Sequence, residues 1–550
     1  MFEPALAFYV VLSLALLCLT QHQFYASDVI SYLSIAQKYG AGHWLSAVNG
    51  VWSPLPCWVL ALFIKVITNQ LIAFKIMQLI VGFFIVLLTL KIGKKLSFSN
   101  HIYQYIAFLT AFFVSVNAAI YQGGDVFFLV FLVLEIYYLA FGFDYLLTKK
   151  IPIIGLIGSG LYLSKYFGLA FFLVQFTSVM LVFWLQNKSI SKKIVWYYAQ
   201  NILVFLLVCG LWSACLTHKF GVFQTTSLSA SDFFAVRNPH TNPSQSIVNI
   251  WQMMPVLPLP DEHSVSFWDD THQLLPKTNR WQPFSTLQNF RLYLHFILKE
   301  NAKAIFYLEF GKHIGSVFLV IWFVSWQFKT LKKSKYINHN FLIVAIITIF
   351  FIYLGYGLVF VGQRYFWATQ WLWLLLTCWL IDDWQPKKFK ETIFVVLKIL
   401  IGIAFLSTPF KDVMTARRFD FSLKTILITP VICVQNSYLL YNDMHRLAQI
   451  LAHTKQFEGK KIVSFNTSTD AQYYTSVERM TYIALLTKGH FLGEYSEKSI
   501  ENKPLKMLKD NEIDYYFVWN STNETNNTLT KNWQMIYENQ IFDLKVFEIK

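Results

Sequence analysis

The dominant pattern in this chain is a succession of apolar runs separated by short polar segments. A helix that crosses a bilayer needs about 20 predominantly apolar residues, and eleven runs reach or approach that length. These runs are residues 4–21, 71–90, 102–120, 126–147, 151–164, 167–186, 194–216, 313–327, 341–360, 365–381 and 391–408. The pattern predicts an all-α polytopic membrane protein over residues 1–408.

Composition supports a membrane location. Hydrophobic residues make up 55% of the 550 positions and charged residues only 14%, which is unlike any soluble globular domain. The net charge is +15, a value that in a soluble chain would suggest a nucleic-acid partner. Here the basic residues form short clusters between apolar runs, which is typical of membrane topology, so no nucleic-acid partner is expected.

The lysine clusters predict which loops face the cytoplasm. Lysines collect at 91–95, 149–150, 188–193, 329–335 and 387–390, in every second loop. Because Lys and Arg accumulate on the cytoplasmic side, the N-terminus is predicted to be cytoplasmic and the alternate loops external. The large external loops are then residues 22–70 and 218–303. The expected location is the inner membrane of a bacterium, with the C-terminal region in the periplasm.

The C-terminal region, residues 409–550, has a different pattern. Short strands are predicted at 461–465, 514–519 and 546–549, and helices at 476–486 and 499–509. This alternation indicates a small α/β domain from about residue 458. The apolar run 423–434 is either a surface helix or a further span, and its shortness favours the surface helix.

The first external loop places an acid at the membrane rim. Asp28 follows directly on the first apolar run, where a charge is costly to keep without a role. Apolar residues then recur at three and four positions, which predicts an amphipathic helix on the bilayer surface. The run 57–67 is too short to span and is predicted to be interfacial.

Other unusual polar residues fall on the same predicted side as Asp28. They are His43, Asp125, Lys165, Arg364 and the acids and histidine of the loop 218–303. The sequence contains neither a Walker-type glycine loop nor a Gly-x-Ser-x-Gly nucleophile turn. Candidate chemistry therefore concentrates at one surface of the membrane.

The order of these motifs resembles that of a known family. Asp28, Tyr32 and the 52–56 segment Trp-Ser-Pro-Leu-Pro are similar to the first external loop of GT-C membrane glycosyltransferases. The likeness is greatest to the branch with protein O-mannosyltransferases and bacterial aminoarabinose transferases. Tyr121 to Asp125 resembles that branch's second external acid, 163–168 its short fifth helix with a lysine, and 363–365 its late Arg-Tyr element.

The resemblance covers residues 1–408 and implies a specific chemistry. It implies a transferase that moves a sugar from a polyprenyl-phosphate donor to an envelope lipid, glycan or protein, with inversion at the anomeric carbon. One departure concerns the acceptor, because protein O-mannosyltransferases carry Asp-Glu where this chain has Asp28-Val29. This difference puts a protein acceptor in doubt.

Each candidate residue has an expected role. Asp28 would activate the acceptor hydroxyl as a base, and Asp125 would position the acceptor, orient a cation or share a divalent metal with Asp28. Lys165, Arg364 and Tyr365 would bind the donor phosphate. No cofactor other than that metal is expected. Candidate contacts to the acceptor or sugar are Tyr32, His43, Trp52, His263, Trp268 and Asp269.

Structural explanations remain open for the same residues. Asp28 and Asp125 both stand at predicted helix starts and could be caps. Lys165 and Arg364 could be interfacial anchors that reach the headgroups. Two further functions also stay open: a transporter or flippase of lipid-linked glycans, and a non-catalytic envelope scaffold. Glu135 in the fourth predicted helix, and Lys312 with His313 near the eighth, favour transport.

Overall fold

The structure of the chain is a computed structural model. The residues that the structure describes are 3–21, 27–186, 191–227, 256–270, 282–311, 314–327, 338–383, 391–415, 437–466, 470–495, 508–519, 533–540 and 544–549.

A helix lies at every one of the eleven predicted runs. In chain order these helices are α1 (Pro4–Thr20), then, after the three first-loop helices, α5 (Gln70–Lys95), α6 (Asn100–Ile120), α7 (Asp125–Tyr137) with α8 (Phe143–Lys149), α9 (Ile153–Ser164), α10 (Phe167–Gln186), α11 (Ser191–Phe220), α14 (Ile314–Gln327), α15 (His339–Val359), α16 (Trp367–Asp383) and α17 (Glu391–Thr415). A π-helical turn, Tyr138–Gly142, joins α7 to α8. The first-loop helices are α2 (Ser27–Ala41), α3 (Trp44–Ala47) and α4 (Pro54–Val66).

Six helical segments of the described chain are both long and apolar enough to cross a bilayer by themselves. They are Gln70–Lys95, Asn100–Ile120, Asp125–Lys149, Phe167–Gln186, Lys192–Phe220 and His339–Val359. Shorter apolar helices include Pro4–Thr20 and Ile153–Ser164. One large hydrophobic cluster unites these helices, while side chains such as Leu14, Leu211 and Phe350 point outward and are exposed. This distribution is typical of helices that face lipid.

The end of the second large loop is helical, which the sequence analysis did not predict. Residues 287–311 form α12 (Leu287–His295) and α13 (Ala302–Phe306), with π-helical turns Phe296–Asn301 and Tyr307–Gly311. Few of its side chains are fully buried, although Asn301 and Glu309 are. The predicted external loop 218–303 therefore includes helical residues at its end.

Helix α2 of the first loop is covered by protein on most of its surface. Its residues Val29, Leu33 and Ala36 share a hydrophobic cluster with α4 and the C-terminal domain. Its polar face is covered as well: Ser34 and Lys38 are buried. An amphipathic pattern specifies an apolar face but not what covers it, and here protein takes the place expected for lipid.

The small α/β domain is confirmed, with two more strands than predicted. A five-stranded sheet in the described residues has the order β2-β1-β3-β5-β4. Its strands are β1 (Lys461–Asn466), β2 (His490–Tyr495), β3 (Tyr515–Trp519), β4 (Gln534–Asn539) and β5 (Leu544–Glu548), and its helices α18 (Ser437–His453) and α19 (Asp470–Thr487). β1 pairs in parallel with β2 and β3, whereas β5 is antiparallel to β3 and β4.

Strands β2 and β4 were missed because they do not alternate cleanly between apolar and polar residues. The predicted strand 546–549 begins two residues too late. The predicted helix 476–486 lies inside α19, whereas the run 423–434 and nearly all of 499–509 lie outside the described residues.

The second external loop connects α2 to the C-terminal sheet. The Leu257 amide donates to the Leu492 carbonyl over 2.9 Å, and the Phe491 amide donates to the Val265 carbonyl over 2.8 Å. These bonds extend the sheet beyond its edge strand β2. On its other side the same loop pairs Asp261 with Lys38 of α2 at 2.8 Å. The loop residues 256–270 therefore pack between the membrane-proximal helices and the sheet.

Candidate active site

Two tight turns at the same end of the helix bundle bring Asp125 and Lys165 together. Asp125 begins α7, and Lys165 follows the last residue of α9. Gly124 lies against the end of α9, so closely that a Cβ at this position would be 2.1 Å from the Ser164 carbonyl oxygen. Only glycine permits this approach. As a consequence the two next residues meet, and Lys165 Nζ forms an ion pair with Asp125 Oδ1.

Arg364 connects Asp125 to Asp28. It lies on the single 3₁₀ turn Gln363–Phe366 between α15 and α16. Its Nη2 is 3.3 Å from Asp28 Oδ2, and its Nε is 3.6 Å from Asp125 Oδ2. The side chains of Asp28, Lys165 and Arg364 are each about one-fifth exposed, with Asp125 at 10%. Two carboxylates and two cations thus form one partly open cluster with no net charge.

A stack of aromatic rings supports Lys165. Its Nζ is 3.7 Å from the ring centroid of Tyr365, which stacks on Tyr356 at 4.6 Å, and Tyr356 stacks on Phe167 at 4.0 Å. A cation over an aromatic face is attracted by the ring's quadrupole. Burial lowers the pKa of Lys165 to about 8, and the negative charge of Asp125 opposes that shift.

Three aromatic side chains flank Asp28 on its other side. The Trp268 indole Nε1 donates to Asp28 Oδ1 over 3.4 Å, and the Trp52 indole donates to the Trp268 carbonyl over 3.2 Å. Tyr32 packs on Trp52 with ring centroids 5.4 Å apart. Trp52 and Trp268 are both half-buried. These three predicted contact residues therefore lie at the cluster.

Asp269 is an anchor of the loop and is not available to a sugar. Its side chain is fully buried and accepts hydrogen bonds from the Ser34 hydroxyl and, over 2.9 Å, from the Val265 amide. Its backbone carbonyl accepts a bond from the Asn49 amide group. Burial raises the pKa of Asp269, against the effects of Lys38 and these bonds. Asp269 was predicted to contact the sugar, but in the structure it holds the loop that carries Trp268.

His43 and His263 lie together but far from Asp28. Their rings stack at 3.7 Å, and His263 Nε2 is 3.4 Å from a carboxylate oxygen of Glu262. His43 follows the C-terminal end of α2, whereas Asp28 stands in its first turn. At 1.5 Å per residue these positions are about 20 Å apart. The structure does not bring the two predicted contacts to the cluster.

Polar residues of α5 hold the turn that carries Asp125, and the sequence analysis missed them. Lys75 is fully buried, and its Nζ donates to the Ala119 carbonyl over 2.8 Å. Gln78, one turn later, donates to the Gly123 carbonyl over 2.6 Å. The available signal was a pair of polar side chains, spaced three apart, inside an otherwise apolar helix. Tyr356 was missed too, because aromatic residues are common in such helices.

The two carboxylates predicted to share a divalent metal are paired with a cation of the chain in this structure. No group of three or more His, Cys, Asp or Glu side chains within the described part of the chain could hold an ion. The Arg364 guanidinium contacts both carboxylates, so it already provides the positive charge that a shared metal would supply. The metal remains a prediction without structural support.

Comparison with known proteins identifies the fold. The chain matches no protein-family model and no curated protein sequence. A solved structure, ArnT from Cupriavidus metallidurans bound to undecaprenyl phosphate, superposes with a TM-score of 0.51 at 10% identity, covering 98% of this chain and 97% of that chain. The chain has the fold of ArnT. The architecture expected from the sequence, a set of apolar helices followed by a small C-terminal α/β domain, is thereby confirmed. At this identity the ArnT likeness concerns the fold, and residue roles depend on the geometry described above.

Proposed function

We propose that this protein is an integral membrane glycosyltransferase that moves a sugar from a polyprenyl-phosphate donor to an envelope acceptor. The observation that carries the proposal is the cluster of Asp28, Asp125, Lys165 and Arg364 at one end of the helices of an ArnT-type fold. The ArnT structure contains undecaprenyl phosphate, which supports a lipid of that class as the donor carrier. A lipid-borne donor requires its site at the membrane surface.

Each residue then has a task in a single inverting displacement. Asp28 removes the proton from the acceptor hydroxyl as its oxygen bonds to the anomeric carbon. The bond between that carbon and the phosphate oxygen breaks, and the electron pair stays on the polyprenyl phosphate. Lys165 and Arg364 stabilise the negative charge that grows there, because fixed cations act most strongly on charge that develops in the transition state. The ring of Tyr365 contacts the Lys165 ammonium group and helps to hold it in position.

The acceptor would approach along the aromatic side of Asp28. Trp52 and Trp268 provide half-buried flat surfaces there, and such rings suit the apolar face of a sugar. These surfaces support a glycan or glycolipid as the acceptor. Among the described lysine clusters, residues 91–95 end α5 and residues 149–150 end the α7–α8 segment, at the opposite ends of these segments from the Asp125 turn. This placement supports an outward-facing site on the inner membrane of a bacterium.

Substitution of Asp28 by Asn tests this function. Asp28→Asn keeps the side-chain volume but removes the base, so sugar transfer from a radiolabelled polyprenyl-phosphate sugar should fall at least about 1,000-fold. The control is Asp144→Asn, an exposed acid on α8. Both variants should keep the wild-type melting temperature. Full transfer activity of Asp28→Asn would refute the assigned base, and absence of transfer by the wild type with every donor of this class would refute the function.

Glu135 is the observation that favours transport as the second candidate. It lies within α7, is fully buried, and neither carboxylate oxygen has a hydrogen-bond partner among the described residues. Glu309 is different, because Tyr353 and Thr369 donate to it over 2.7 and 3.0 Å. Lys312 and His313 lie outside the described residues. A flippase would move a lipid-linked glycan from one leaflet of a proteoliposome membrane to the other. Glu135→Gln would stop this transport, whereas Asp28→Asn would not.

A further inference from the structure

Asp125 binds both cations of the site at once. One of its oxygens pairs with Lys165, and the other is 3.6 Å from Arg364 Nε. Two oxygens on one atom, each facing a different cation, reproduce what two non-bridging oxygens of a phosphate would do. The side chain is only 10% exposed, so this carboxylate is held in place.

A counter-ion is needed at this position when no donor is bound. Lys165 is largely removed from water and lies over the Tyr365 ring, and an unpaired cation there would be costly. Burial lowers the pKa of Lys165, whereas Asp125 raises it and so favours the charged form. The proton that a donor phosphate requires is therefore kept on Lys165 before the donor arrives.

We propose that Asp125 occupies the phosphate position at Lys165 and must be displaced from it by the donor lipid. This inference depends on the proposed function and adds to it a role for Asp125 in selecting the anion. An incoming ligand competes with a carboxylate of the same chain, which has a high effective concentration. A freely diffusing carboxylate or inorganic phosphate competes poorly, whereas a phosphate concentrated at the membrane by its polyprenyl chain succeeds.

The inference makes an unusual prediction for a residue at an active site. Asp125→Asn keeps an oxygen that can accept a hydrogen bond from Lys165, so it preserves the position of the lysine but removes the competing charge. The affinity for undecaprenyl phosphate should increase by about tenfold. A residue that only positions Lys165 would give the opposite result, because its loss would weaken binding or leave it unchanged.

The experiment measures the dissociation constant of undecaprenyl phosphate for the full-length protein in detergent, by native mass spectrometry at about pH 5.5. Loss of the Asp125 charge lowers the pKa of Lys165, so an acidic buffer is needed to keep the lysine protonated in the variants as well as in the wild type. The variants are Asp125→Asn, Lys165→Met and the double variant. Tighter binding by Asp125→Asn should shrink when Lys165 is replaced, because the charge that Asp125 neutralised is then missing. The control Asp144→Asn, about 28 Å away along the same span, should bind as the wild type does.

The outcomes separate this inference from the proposed function. Binding by the wild type together with weaker or equal binding by Asp125→Asn overturns the role of Asp125 and leaves the glycosyltransferase proposal standing. A gain that persists unchanged in the Lys165→Met background also overturns it. No binding by the wild type overturns both. In Asp125→Asn the rate of sugar transfer should fall although the affinity for undecaprenyl phosphate rises. The fall is expected because Arg364, which also pairs with Asp28, loses its contact with Asp125.

Discussion

At the scale of single residues, the charges of Asp28, Asp125, Lys165 and Arg364 cancel, so a donor meets a neutral cluster and not a strongly positive field. In the proposed function the polyprenyl chain keeps the donor in the bilayer, so its phosphate competes for the cluster at a high local concentration. In the proposed mechanism the two cations orient the donor and stabilise the leaving phosphate.

Lys165 should make lipid binding dependent on pH. Burial lowers the pKa of its ammonium group to about 8, so the lysine is charged below that pH and loses its proton as the pH rises above it. The affinity for undecaprenyl phosphate should therefore decrease between pH 7 and pH 9.5. An ordinary lysine would remain charged across this range.

Lys165→Arg is the matched variant, because an arginine stays protonated at these pH values. Dissociation constants measured at half-unit intervals should show a decrease in affinity for the wild type and a flat profile for Lys165→Arg. Parallel profiles for the two proteins would assign the pH dependence to another group.

Sequence reasoning succeeded at this scale where a residue was unusual for its surroundings. Asp28, Asp125, Lys165 and Arg364 are charges at the ends of apolar runs, and they meet in the structure. His43 shares their predicted side of the membrane but lies at the other end of α2. A shared side of the membrane fixes the position of a residue along the membrane normal but not within the membrane plane. It therefore could not show that His43 lies far from Asp28.

At the scale of elements, the site depends on how closely the α6–α7 turn approaches the end of α9. Gly124 makes this contact, and any side chain there would displace Ser164 and with it Lys165. Gly124→Ala should separate the Asp125–Lys165 pair and reduce sugar transfer by more than about tenfold, since a misplacement of about 1 Å can cost 100-fold. Transfer assays on purified protein would measure this.

Gly210→Ala is the control for that substitution. Gly210 lies within α11, and a Cβ there would meet no atom within 4 Å. An alanine in this open helical position should leave transfer unchanged and slightly raise the melting temperature. Normal activity of Gly124→Ala would show that the turn tolerates the added methyl group and that the contact does not set the geometry of the site.

At the scale of the whole molecule, the C-terminal domain is part of the structure that supports the active site. Val477, Met480 and Ala484 recur along one face of α19 and share a hydrophobic cluster with Val29 and Leu33 of α2. The same helix α2 begins with Asp28. The domain also pairs its β2 edge with the loop that presents Trp268. A change that loosens the contact between the C-terminal domain and α2 should therefore affect the site, although the domain provides no residue of the charged cluster.

Met480→Ala tests this coupling. Met480 is fully buried, and its truncation should lower the free energy of unfolding by about 2–5 kcal/mol and weaken binding of undecaprenyl phosphate. The control Met535→Ala makes the same change on β4, where the side chain is 49% exposed. Thermal unfolding and lipid binding measured in parallel would reveal the effect. Reduced stability with unchanged lipid binding would separate the domain from the site.

The sequence by itself determined the membrane helices, the small α/β domain and the four charged residues. The length of an apolar run, the distribution of lysines among the loops and a charge at the end of an apolar run are local properties, so they can be recognised from neighbouring residues alone. Tertiary structure decided what covers α2, which loop residues reach Asp28 and which side chains hold the Asp125 turn. Asp269, Gln78 and Met480 acquire their roles from partners between about 45 and more than 200 residues away. Such contacts leave no periodicity in the sequence, since they depend on how separate elements pack.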